Sequence, residues 1–87
     1  MARSSDIRQK EVINVLDGRR MGNIIDMELT TDGRIDTITV PGPMRIFDLF
    51  RSNRSGIVIP WDRVRMIGED VILVELDPQF LRRYERV

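Results

Sequence analysis

The chain has 87 residues, 41% hydrophobic and 32% charged, and its fourteen basic and fourteen acidic residues cancel to a net charge of zero. It lacks cysteine and histidine, which excludes disulfides, thiolate metal sites and cysteine nucleophiles and removes the commonest general base. Balanced charge argues against a protein devoted to gripping phosphate backbones, and the length suits one domain over 1–87.

The opening residues, Met1-Ala2-Arg3-Ser4-Ser5-Asp6, run into polar sequence with no apolar core segment, so no signal peptide is expected. No run approaches the ~20 apolar residues that span a bilayer, and a cytoplasmic protein without a membrane span is expected. Ser5 or Asp6 can cap a single turn that leads into the first strand, over 10–15, where Val12, Ile13 and Val15 supply β-branched bulk. Asp17-Gly18 is a turn signal. The run 22–29 alternates, with Ile25, Met27 and Leu29 on one face and Ile24, Asp26 and Glu28 on the other. Thr31-Asp32-Gly33 closes a second hairpin. In the returning strand, 34–40, Ile38 and Val40 are in phase but Ile35 is not, which predicts a bulge near Asp36.

Pro41-Gly42-Pro43 ends that strand. In the following segment, 44–53, Ile46, Leu49 and Phe50 fit one helical turn. Beyond the loop at 52–56 come a strand over 57–59, a Pro60-Trp61 corner, a strand over 65–67, a Gly68-Glu69-Asp70 turn and a strand over 71–76. These runs are apolar on both faces, which calls for cover on both sides. Ile72 and Val74 are read as facing outward, to be covered by a second subunit or by the tail. In that tail Asp77 can N-cap a helix that starts at Pro78, with Phe80, Leu81, Tyr84 and Val87 on one face. Six short strands joined by tight turns favour an all-β fold, a small closed barrel with a short C-terminal helix, because closure removes exposed edges. The barrel is assigned to 5–76 and the helical extension to 77–87.

Several motifs together resemble the PRC-barrel domain. They are Asp17-Gly18, the Gly22-Asn23-Ile24-Ile25-Asp26-Met27-Glu28-Leu29 run, and Asp32-Gly33-Arg34-Ile35 continuing to Val40. Ile59-Pro60-Trp61-Asp62 followed by Ile67-Gly68-Glu69-Asp70-Val71-Ile72-Leu73-Val74 is similar to the stand-alone PRC-barrel proteins of sporulation type, the YlmC/YmxH-like group. Arg51 follows Leu49-Phe50 where members of that group often carry a glycine, and the tail over 77–87 extends past the usual end. The resemblance implies a β-barrel docking module without a shared catalytic site, and a sporulation-related role.

Asp26, Asp32, Asp36 and Asp62 are read as solvated strand and turn residues rather than a carboxylate pair or cation site. Trp61 is read as a corner residue of the core. The glycines form no phosphate-cradling motif. No catalytic, cofactor-binding or metal-ligating residue is assigned, and the chain is read as non-enzymatic. The proposed contact residues are Ile46, Phe47, Leu49 and Phe50, together with Ile72, Val74, Phe80 and Tyr84, in a homodimer that also docks a protein partner through apolar side chains within an arginine-rich rim. The alternative is an RNA- or ribosome-associated module using Arg19-Arg20, Arg63/Arg65 and Arg82-Arg83-Arg86, although the charge balance makes nucleic acid the less expected partner.

Overall fold

The computed structural model describes residues 7–43 and 56–82. Over them the chain forms seven strands: β1 (Glu11–Asn14), β2 (Arg19–Asn23), β3 (Asp26–Leu29), β4 (Ile35–Val40), β5 (Ile57–Pro60), β6 (Val64–Ile67) and β7 (Val71–Val74). A 3-10 turn, Trp61–Arg63, joins β5 to β6, and one short helix, α1 (Pro78–Leu81), follows β7. The all-β class is as expected, and the strands divide into two sheets. One has four strands in the order β2-β1-β7-β6, the other three in the order β3-β4-β5.

At the centre of the four-stranded sheet β1 and β7 run parallel, with Val12 opposite Ile72 and Asn14 opposite Val74. Parallel neighbours need a long connection. Here that connection includes the entire second sheet, so β1 and β7 tie the two ends of the fold together. The Lys10 ammonium reinforces the join by donating to the Gly68 and Glu69 carbonyls at 2.8 and 2.6 Å. The other ladders are antiparallel.

Seven strands stand where six are expected because 22–29 is not one strand. Gly22 has φ of +90°, and a Cβ there would lie 2.9 Å from the Pro41 ring. Only glycine allows this backbone to turn so close to the other sheet. The chain leaves the first sheet at β2 and enters the second at β3, with Ile24 buried and Ile25 exposed at the crossing. The simple alternation through this run therefore fails: Met27 packs on the core while Leu29 is exposed. The bulge foreseen near Asp36 is present. Glu28 pairs with Thr37 and Leu29 with Ile35, which leaves Asp36 as the extra residue and returns Ile35 to the core side.

One apolar cluster lies between the sheets. It includes Val12, Met21, Ile24, Ile38, Val40, Ile59, Ile72, Val74 and Leu76, with Ile7 and Phe80 at its margins and Trp61 packed partly buried against it. Gly42 N–H donates to the Met21 carbonyl at 2.9 Å and links the sheets at one side. The 3-10 corner links them at the other. The described ladders do not run continuously from one sheet into the next.

The expected orientation of Ile72 and Val74 is corrected: both have zero exposure. Val71 and Leu73 take the outer face instead, only partly covered. A strand of four aliphatic residues carries no alternation, so its phase is invisible in the sequence, and a one-residue slip exchanges the two faces. The cover for Ile72 and Val74 is the chain's own core, which includes the tail. The Asp77 carboxylate accepts from Phe80 N–H at 2.7 Å, with Pro78 at the first helical position, as expected. Phe80 is buried, and the Arg63 guanidinium lies over its ring at 5.1 Å. Among the described residues no helix is long and apolar enough to cross a membrane.

Candidate functional site

The outer surface of the four-stranded sheet is the most informative exposed feature. Strand alternation puts Glu11 and Ile13 of β1, and Val71 and Leu73 of β7, opposite the buried residues of the same strands. The register sets Ile13 beside Arg20 on β2 and Leu73 beside Met66 on β6. A row therefore crosses all four strands in the order Arg20, Ile13, Leu73, Met66. Val71 extends its apolar part along the strand direction, and Met66 is 58% exposed.

Ion pairs flank the apolar row. Arg20 Nε lies 3.6 Å from Glu11 Oε1 on the β2 side, and Arg65 Nη2 lies 3.1 Å from Glu75 Oε1 on the β6 side. Arg65 is the bulged residue of β6, between Val64 and Met66 in the pairing with β7, and also donates to the Asp62 carbonyl at 2.9 Å. A half-covered aliphatic centre bounded by charges of both signs has the layout of a contact surface. Arg19 and Arg34 pair with Asp17 and Asp32, so these arginines are locally neutralised.

The outer face of the three-stranded sheet differs in chemistry. Asp26, Glu28, Thr37 and Thr39, with Ile25 and Val58, line a shallow concavity. Thr37 Oγ1 contacts Glu28 Oε1 at 3.5 Å, and the Asp26 carboxylate accepts from Met27 N–H. Among the described residues no three His, Cys, Asp or Glu side chains are placed to hold a metal ion. The Asp32 carboxyl has a lowered pKa. The Thr30 hydroxyl donates to its carboxylate and holds it below the ordinary value of 3.8, helped by a backbone bond from Arg34.

Of the residues expected to make contacts, Ile72, Val74 and Phe80 are buried within the chain. Ile46, Phe47, Leu49, Phe50 and Tyr84 lie outside the described residues. The outer row of Ile13, Leu73 and Met66 was not singled out from the sequence. The available signal was the period of two: had Val12 been placed inward, Ile13 would follow as outward.

The chain matches the PRC-barrel domain over residues 1–81. It belongs to the PRC-barrel family. The match reaches beyond residue 76 into α1, in keeping with the burial of Phe80 in the core. This PRC-barrel chain is similar to the probable sporulation protein YlmC of Bacillus subtilis, 38% identical over 73 residues that cover 83% of this chain and 89% of the relative. It is also similar to the uncharacterized protein YmxH of the same organism, 28% identical over 95% of this chain and 99% of that protein. An uncharacterized Clostridium acetobutylicum protein is 32% identical over 88% of this chain and 87% of its own length.

Proposed function

We propose that this PRC-barrel chain is a non-enzymatic docking module with a sporulation-related role, which binds a protein partner through the outer face of its four-stranded sheet. The observation that carries the reading is the Ile13–Leu73–Met66 row flanked by the Arg20–Glu11 and Arg65–Glu75 pairs. Partly exposed aliphatic centres of this kind exclude water on contact, while the surrounding charges set orientation and select the partner. The sporulation component rests on similarity to the Bacillus subtilis relative whose name carries that word. Ile46, Phe47, Leu49 and Phe50 remain proposed contacts on composition alone: large apolar side chains are favoured anchors.

The test uses the tagged full chain as bait in lysate of its source organism, with Met66→Asp and the double variant Phe47→Asp/Phe50→Asp beside it. A captured protein that is lost with either variant, while thermal stability holds, supports docking. Capture that both variants leave unchanged overturns it, as does catalytic turnover by the purified chain.

A further inference from the structure

The outer face of the three-stranded sheet is a second surface, with a charge of one sign. The register sets Asp26, Thr39 and Val58 side by side across β3, β4 and β5, and Glu28, Thr37 and Pro60 in the neighbouring row. Strand alternation turns these side chains to one face, away from Ile38 and Ile59, which have zero exposure. Ile25 and Val58, 50% and 40% exposed, supply the apolar part of the concavity beside the two carboxylates.

On the four-stranded sheet Glu11 pairs with Arg20 and Glu75 with Arg65, and at the β3–β4 turn Asp32 pairs with Arg34. Asp26 and Glu28 pair with no arginine or lysine among the described residues, and no basic side chain of those residues lines the concavity. The Asp26 carboxylate accepts from Met27 N–H at 2.9 Å, and Glu28 Oε1 meets the Thr37 hydroxyl at 3.5 Å. Both carboxylates keep further acceptor sites. They stand two residues apart on one side of an edge strand, so like charges share a face with their backbone positions about 7 Å apart.

We propose that this face holds an extended, arginine-bearing segment of a protein partner, its guanidinium groups on Asp26 and Glu28 and their stems over Ile25 and Val58. A guanidinium donates through a planar fork that matches a carboxylate, and its aliphatic stem covers apolar surface. In an extended segment alternate residues point the same way at the same spacing of about 7 Å. Arginines two positions apart therefore match the two carboxylates. The surface is separate from the Ile13–Leu73–Met66 row and does not depend on it.

The probe is a capped five-residue peptide with arginine at its second and fourth positions and threonine elsewhere, titrated at low salt into the isotope-labelled full chain. Saturable NMR shifts are expected at the amides of Asp26, Glu28, Thr37 and Thr39, with affinity falling as salt is added. Asp26→Asn/Glu28→Gln weakens binding about fivefold or more, because two ion pairs are lost, while its amide spectrum stays dispersed. Glu69→Gln/Asp70→Asn, which removes the same charge at the β6–β7 turn, and Met66→Asp, on the other sheet, bind as the wild type does.

Equal weakening by Glu69→Gln/Asp70→Asn overturns the proposal, since the attraction would then be unspecific. So does an absence of shifts at the four amides, or their saturation by calcium alone that the peptide does not reverse. Either failure leaves docking through the four-stranded sheet untouched, because that reading is tested by partner capture with Met66→Asp.

Discussion

Asn14 is the residue on which the tail depends most. It has zero exposure, yet its amide donates to the Leu76 carbonyl and accepts from the Leu76 N–H, both at 2.9 Å, with Leu16 N–H as a further donor at 3.3 Å. It therefore satisfies both backbone groups of a buried residue 62 positions away. Asn14→Ala strands those groups without partners, and we expect it to lower unfolding free energy by about 2–4 kcal/mol in urea titration. Asn14→Asp keeps the acceptor but loses the donor to Leu76, so it also destabilises. Thr30 and Asp32 act locally and at the surface. Because the hydroxyl of Thr30 depresses the Asp32 pKa, the associated stability is present above 3.8 and is lost as pH falls through the lower folded value. Thr30→Val should move the Asp32 carboxyl midpoint up toward 3.8 in an NMR titration; an unmoved midpoint would show that the hydroxyl is not the cause. Asn14 was legible only as a polar residue inside an apolar run, and nothing local to it pointed to Leu76.

Among the elements, helix α1 and the β5–β6 corner were the most readable. Asp77-Pro78 specifies a helix start by chemistry confined to four residues, and Pro60 ends β5 where the Trp61–Arg63 turn begins. What α1 packs against was not readable. Phe80 enters the core beneath Arg63, so the helix belongs to the barrel and is not an appendage. Phe80→Ala should cost about 3–5 kcal/mol of stability in urea or thermal unfolding; a loss below about 1 kcal/mol would mean the helix is peripheral. The break between β2 and β3 shows the opposite case. Its alternating sequence reads as one strand, and it is divided where Gly22 comes close to Pro41, just beyond the end of β4. The bulge at Asp36 was legible because Ile35 falls out of step with Ile38 and Val40 within a single strand.

For the molecule as a whole, the parallel pairing of β1 with β7 brings the two ends of the described chain into one sheet. The sequence by itself determined the all-β class, the turns at Asp17-Gly18 and Thr31-Asp32-Gly33, the Asp36 bulge, the capped helix and the PRC-barrel family, since each depends on residues close together in the chain or on a recognisable pattern of them. Only the tertiary structure decided that Val71 and Leu73 face outward while Ile72 and Val74 fill the core, that β1 pairs in parallel with β7, and that Phe80 is an internal residue. A uniformly aliphatic strand has no phase until a neighbour covers one of its faces. That cover comes from the second sheet, whose Ile38, Val40 and Ile59 share the buried cluster with Ile72 and Val74.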